Sequence, residues 1–337
     1  IYGQADYSFT DRLTATLGLR YTEDDRVRQR ADGLPWDASP RLGPELPTYT
    51  YNNNEPETGK DSNTDYRVGL SFFPTEDVML YGSFATAYIA GSVDNVTQKL
   101  LDPQTNETFE IGVKSTLLDG QLTFNASAYS AQYDGLMTTQ FVIQGNTGVA
   151  VAVQVPGGSI ESQGIEVEGF WYPTENLTVD FGLTLEDSNY DEFIVGAGNL
   201  VWNDVPPIGA EVIEVEYVFV MDGKPTAYSP DVTLGVGIGY DIDLGDMGTF
   251  TPYVNAYYNS GYMTNRAPLF FGEQDAYTEI DLSVGWRSQD GQYTASLWVN
   301  NATDELIQTY TEIYSRARVA YDYQAPRAWG VRFGYNF

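Results

Sequence analysis

Trp202, Tyr262, Arg266, Tyr310, Tyr314, Arg316 and Arg318 combine flat aromatic surface with fixed positive charge, and all fall in polar segments between patterned stretches. Tyr321, Tyr323 and the pair Phe270-Phe271 lie in the same segments. Aromatic faces and guanidinium forks together can grip an anionic, partly aromatic ligand; a ferric chelate is one such ligand. The same residue types also suit a membrane boundary, with Tyr as an interfacial girdle and Arg against lipid phosphates. The residues alone leave both roles open.

Other chemistry is thin. The chain has no Cys and no His. That removes disulfides, thiolate sites, the commonest general base and the commonest metal ligand. Triad chemistry needs a base this chain lacks. The segment DSNYDE at 187–192 offers carboxylates that calcium could use, but without the glycine and spacing of a calcium loop, so it reads as a solvated acidic loop. The Asn-x-Ser/Thr triplets at 95–97, 106–108, 125–127, 176–178 and 301–303 read as incidental. No catalytic residue, metal ligand or cofactor site emerges, and no enzyme is expected. A net charge of −30 argues against a nucleic-acid partner. It fits a soluble surface or a pore that handles cations.

The elements that must carry these segments are strands. Leu13, Ala15, Leu17, Leu19 and Tyr21 alternate with Thr14, Thr16, Gly18 and Arg20. Leu177, Val179, Phe181, Leu183 and Leu185 alternate with Thr178, Asp180, Gly182 and Thr184. Similar runs recur at 109–114, 122–129, 165–171 and 279–286, a period of two throughout. No helical stripe competes. Mean hydropathy is −0.31, and no run approaches the ~18 apolar residues of a membrane helix. A barrel needs only half-apolar strands.

Short turns (SFTDRL, FFPTEDV, LLDGQL, YPTENL, DLGDMGTF and SQDGQY) carry Asp, Gly, Pro or Asn at the bend. Long connections alternate with them, at about 25–63, 90–104, 138–159, 190–227, 262–275 and 303–326. All long connections should therefore leave from one end, as in outer-membrane barrels. Within 190–227, an alternation over 211–218 predicts an extra hairpin turning at Asp222-Gly223. Roughly thirteen strands result, beginning near 1, 12, 64, 77, 105, 121, 160, 176, 228, 248, 276, 291 and 327. An odd number does not close a single-chain barrel.

The last strand is the plainest. Trp329, Val331, Phe333, Tyr335 and Phe337 share one face, opposite Gly330, Arg332, Gly334 and Asn336. A face so apolar needs lipid, and a soluble edge strand would carry charge there. On the polar sides fall Arg20, Arg67, Glu110, Lys114, Glu166, Glu168, Asp180, Glu279, Asp281 and Arg332, which predict cross-strand pairing around a wet interior or a docked plug.

Four stretches resemble one family. ETFEIGVKSTLLDGQLTFNASAYSAQYDGL at 107–136, SIESQGIEVEGFWYPTENLTVDFGLTL at 159–185, LWVNNATDE at 297–305 and APRAWGVRFGYNF at 325–337 resemble, in order, segments of the barrel of TonB-dependent outer-membrane receptors. The resemblance implies an all-β, antiparallel transmembrane barrel of about twenty-two strands around an amino-terminal plug. Residues 1–337 would form one domain, the carboxy-terminal thirteen or so of those strands, beginning at about the tenth. No plug, amino-terminal box or leader is visible from Ile1 onward. The native protein is expected to be longer, and this chain alone is not expected to transport.

The implied location is the outer membrane of a Gram-negative bacterium. The implied activity is uptake of a scarce nutrient: a ferric siderophore first, otherwise cobalamin or an oligosaccharide. A passive porin or a surface adhesin is the alternative. The implied partners are the inner-membrane TonB complex acting through the plug, outer-membrane lipid, a small ligand, and the barrel-assembly machinery. That machinery would read Trp329, Phe333, Tyr335 and Phe337 as an insertion signal.

Overall fold

The computed structural model describes residues 1–28, 57–92, 100–144, 149–156, 158–196, 218–266, 272–315 and 318–337. It is a curved wall of antiparallel strands with hairpins standing on one end. The wall strands are β1 (Tyr2–Thr10), β2 (Leu13–Arg28), β3 (Glu57–Thr75), β4 (Val78–Ile89), β5 (Gln104–Leu117) and β6 (Leu122–Asp134). After the hairpin β7 (Met137–Gln144) and β8 (Val149–Pro156) come β9 (Ser159–Thr174) and β10 (Leu177–Asp191). The pair β11 (Ile194–Gly196) and β12 (Val218–Val220) precedes β13 (Val232–Tyr240), the short β14 (Ile242–Asp243), β15 (Thr249–Met263), β16 (Glu273–Arg287) and β17 (Tyr293–Asn300). The hairpin β18 (Gln308–Ser315) and β19 (Arg318–Tyr323) leads to β20 (Ala328–Tyr335).

The wall order is β1-β2-β3-β4-β5-β6-β9-β10-β13-β15-β16-β17-β20, thirteen strands, with β14 extending the turn beside β15. The number and starts match the sequence reading closely. Every neighbouring pair is antiparallel, so odd strands of the wall run one way and even strands the other. β1 and β20 therefore run the same way and cannot pair antiparallel with each other. Among the described residues both outer edges of the wall are open.

Register keeps one face continuous. Arg20 opposes Asp65, Gly18 opposes Arg67, Lys114 opposes Asn125, Asn125 opposes Glu168 and Asn255 opposes Asp281. On the other face Leu17 opposes Val68, Phe181 opposes Val236, and Leu297 opposes Val331. A one-residue slip would turn every one of these side chains over, so the apolar set fixes the register. The Leu, Val and Ile face is not covered: Leu17, Val68 and Leu70 are each 50% exposed. Such a surface is far beyond what water tolerates in a monomer. It is the band a barrel turns to lipid.

Buried apolar side chains are few among the described residues: Leu101, Ala131, Tyr190, Phe193, Met221 and Ile307. The wall has no central core of its own. Its backbone ladder and its lipid-facing band hold it, as a spanning sheet requires.

Three differences from the sequence reading have physical causes. Strands β2 and β3 extend well into 25–63, where Lys60 pairs with Asp25 at 2.8 Å and Arg26 with Asp61. Opposite charges facing across the hairpin extend the ladder beyond the apolar stretch. The 138–159 connection folds as the β7–β8 hairpin. In 190–227 the turn at Asp222-Gly223 is present, with Gly223 at φ +66. The chain after it does not fold back on β12. It joins the end of β10, where Tyr190 N donates to Lys224 O and Thr226 N to Ser188 O, each at 2.9 Å. The open backbone of β10 is the nearer partner. Residues 211–217 of the predicted alternation lie outside the described residues.

Candidate functional site

All the long connections leave from the end of the wall opposite the short turns. This outer end rests on two small packed clusters. In the first, Tyr190 and Phe193 stack at 4.5 Å with Met221 buried against them, and Leu136 and Ile160 pack beside. The second is polar. Thr264 and Thr311 are wholly buried, and their hydroxyls lie 2.7 Å apart. Thr264 Oγ1 also donates to Gly272 O at 2.9 Å, and Gln308 Nε2 donates to both threonine hydroxyls, at 3.0 and 2.6 Å. Thr311 N donates to Thr264 O, and Asn265 Nδ2 to Thr311 O.

Around this polar cluster the structure gathers three of the candidate ligand residues. The Tyr262 hydroxyl donates to Gln308 O at 3.1 Å. Tyr228 packs against Tyr262 with ring centroids 6.4 Å apart and donates to Thr264 O at 2.7 Å. Burial pushes the Tyr228 hydroxyl above the usual tyrosine range; Tyr310 adds to the rise and the Arg266 guanidinium opposes it. Tyr228 therefore stays a neutral donor at any physiological pH. Arg266 is exposed, its guanidinium donating to Met137 O at 3.4 Å at the foot of the β7–β8 hairpin. Tyr310 is likewise exposed on β18.

Tyr314 and Arg318 belong to the β18–β19 hairpin. Trp202 and Arg316 lie outside the described residues, as do Phe270 and Phe271. Sequence reasoning missed Tyr228, Thr264, Gln308 and Thr311. Polar residues in polar loops carry no periodic signal, and only the fold shows that they meet. One further anchor had a signal. Asn301, inside LWVNNATDE, is 1% exposed. Its side chain donates to Glu305 O and accepts from Glu305 N, and its own N–H donates to Asp281. That closes the start of the connection to the second hairpin.

The inner face of the wall is polar and mostly acidic. Tyr81 donates to Glu110, with Lys114 Nζ 5.7 Å from the Tyr81 ring. Asn125 Nδ2 donates to Glu168 at 3.2 Å, and the Tyr253 hydroxyl to Asp180 at 3.0 Å. A hollow of about 520 Å³ opens over Glu110, Lys114, Glu166 and Tyr257. The predicted charge pairing is thus mostly hydrogen bonding of carboxylates to Tyr and Asn. DSNYDE is not the loop expected but the end of β10, and its carboxylates are met mainly across β9: Gln163 Nε2 and Asn189 Nδ2 donate to Asp187, and Ser159 to Asp191. No group of carboxylates among the described residues is arranged to hold a metal ion.

At the carboxy terminus Trp329, Phe333, Tyr335 and Phe337 are all exposed on the outward side of the wall. Tyr335 packs edge-on against Phe337 at 5.0 Å and pairs with Tyr293 at 5.1 Å. Phe333, Tyr335 and Phe337, with Trp171, Tyr240 and Trp286 near other short turns, form an aromatic belt at that end, while Trp329 sits at the other end of β20, opposite Val299.

Known proteins share this arrangement. The ferrioxamine B receptor of Salmonella typhimurium is 22% identical over 252 residues, covering 72% of this chain and 30% of that protein. The ferrioxamine receptor of Yersinia enterocolitica is 24% identical over 298 residues, covering 87% of this chain and 36% of that protein. The chain spans about a third of the length of these curated relatives. Among solved structures, the ferric yersiniabactin uptake receptor FyuA of Yersinia pestis superposes with a TM-score of 0.73 at 16% identity, over 100% of this chain and 45% of that one. The lipid-facing band, the aromatic belt and the one-sided long connections are those of an outer-membrane protein of a Gram-negative bacterium. The family model described as TonB dependent receptor-like, beta-barrel matches residues 1–302, and the chain belongs to that family.

Proposed function

We propose that this protein takes up a ferric siderophore across the outer membrane, with energy from the TonB system. The observation that carries the proposal is the outer platform: Tyr228, Tyr262, Arg266 and Tyr310 gathered above a polar lumen. Aromatic faces beside a guanidinium suit a ferric chelate. The names of the curated relatives, both ferrioxamine receptors, support that ligand class. Trp202, Tyr314, Arg316 and Arg318 are proposed as further ligand contacts on their residue types alone.

The loops and lumen would capture the ligand, and the TonB complex would then act through a plug. Further strands, odd in number because β1 and β20 run the same way, would close the wall. Barrel-assembly machinery would engage β20 and its terminal aromatics. No bond is made or broken in this scheme, so neither catalytic residues nor a cofactor are needed, and no nucleic acid takes part.

Uptake of iron-55 ferrioxamine B by cells lacking their other siderophore receptors tests the proposal. Uptake should depend on this protein and on the proton gradient. Uptake of cobalamin or an oligosaccharide instead would replace the ligand class. Large steady conductance of the full native protein in a planar bilayer would favour a passive porin, and neither uptake nor conductance would leave an adhesin.

A further inference from the structure

We propose that Thr264, Thr311 and Gln308 are positioning residues that lock three outer connections into one prebuilt ligand platform. The inference rests on the uptake reading for the ligand and on geometry alone for the lock.

Three stretches far apart in sequence meet at these residues. Tyr228 comes from the approach to β13 and reaches Thr264 O from 36 positions away. Thr264 follows directly on β15 and bridges its own loop to Gly272 with both its backbone N–H and its hydroxyl. Thr311 comes from the β18–β19 hairpin, 47 positions from Thr264. Gln308 binds both hydroxyls, and its own N–H donates to Gln274 Oε1 at the start of β16.

Each threonine has a relative exposure of 0%. A buried hydroxyl costs more unsatisfied than it gives satisfied, so such a network is complete or it fails. The candidate ligand residues flank its members. Tyr262 and Arg266 lie two positions either side of Thr264, and Tyr310 is next to Thr311. A shift at the threonines therefore moves all three. Ligand would meet a surface already ordered, with little ordering entropy left to lose on binding.

The variants are Thr264→Val, which keeps the shape and loses the hydroxyl, and Thr264→Ser, which keeps the hydroxyl. Both are made in the full native protein. Heat-modifiable mobility on gels checks assembly, backbone hydrogen exchange reads the loops, and tryptophan fluorescence reads ferrioxamine B binding. Thr264→Val should assemble normally. It should speed exchange together at 264–266, 272–274 and 308–312. It should also weaken ferrioxamine B about tenfold, the scale of a buried hydroxyl's hydrogen bonds. Thr264→Ser should keep assembly, exchange and affinity all at their wild-type values.

Faster exchange confined to 264–266 would overturn the lock. Unchanged affinity in Thr264→Val, where the wild type binds, would overturn its role in binding. If the wild type binds neither ferrioxamine B nor a ferric tris-catecholate, the uptake reading falls and the exchange pattern alone decides the lock. Should Thr264→Val fail to assemble, Thr311→Val carries the same measurements.

Discussion

The hydroxyl of Tyr253 reaches over Gly237 to donate to Asp180, linking β15 to β10 across the intervening strand β13. A Cβ at Gly237 would overlap both the tyrosine oxygen and the carboxylate. Trp298 lies over Gly330 in the same way, with Cε2 2.7 Å from where a Cβ would stand. Large rings on the inner face are laid flat against neighbouring strands, and glycine is what lets them lie there.

Gly237→Ala should therefore destabilise the wall by about 1–3 kcal/mol, as overpacking does. Tyr253→Phe, which loses only the hydrogen bond, should lose about 1 kcal/mol. The double variant should lose less than the sum, because both act on one contact. Urea unfolding in lipid vesicles measures all three. Additive losses would mean that the glycine and the tyrosine act separately.

The two faces should answer differently to charge. Val236 sits mid-strand on the outward face, opposite Phe181 and Ala256. Asn255 sits on the inner face, opposite Asp281. Val236→Arg should lose about 2–4 kcal/mol in a bilayer. Asn255→Arg should stay within about 0.5 kcal/mol of wild type. The same vesicle unfolding decides it, and equal losses would contradict the assignment of lipid to the Leu/Val face.

Deleting Phe337 should lower the amount of assembled protein in the outer membrane. It should leave the ligand affinity of the assembled fraction unchanged, since the residue is fully exposed at the end opposite the loops. Quantifying the heat-modifiable form in membrane fractions checks this. Normal assembly without Phe337 would end its role as an insertion signal.

Asp290 gives a pH signature to one short turn. Ser288 Oγ donates to its Oδ1 at 2.6 Å and Gln292 N at 3.0 Å. The Ser288 hydroxyl first, then the Gln292 amide, hold the carboxyl below its usual range. The folded turn thus favours the ionised form. Its stabilisation is whole above the unfolded value of about 3.9 and is lost as pH falls through the lower folded value. Carbon-13 carboxyl titration should give Asp290 a midpoint below that of an unfolded peptide, and Asp290→Asn should remove the pH dependence of this hairpin. A midpoint at or above the peptide value would mean the two hydrogen bonds do not form.

The sequence by itself determined the wall. Runs such as Leu177 to Leu185 and Trp329 to Phe337 alternate strictly, and period two has one structural meaning when one face must be wholly apolar. Turn chemistry at SQDGQY and LLDGQL fixed which connections are short, and with them the end from which the long ones leave. The site was legible only as composition: Tyr and Arg in polar segments. Tertiary structure decided that Tyr228, Tyr262, Arg266 and Tyr310 gather, because a buried Thr264–Thr311 contact ties loops separated by dozens of residues. It also decided that β7–β8 and β18–β19 stand as hairpins, and that Lys224–Thr226 joins β10 rather than β12. Local alternation carries information two residues away. Which loop meets which depends on strand order and on hydroxyls that must be satisfied once buried, and neither is written in any local pattern.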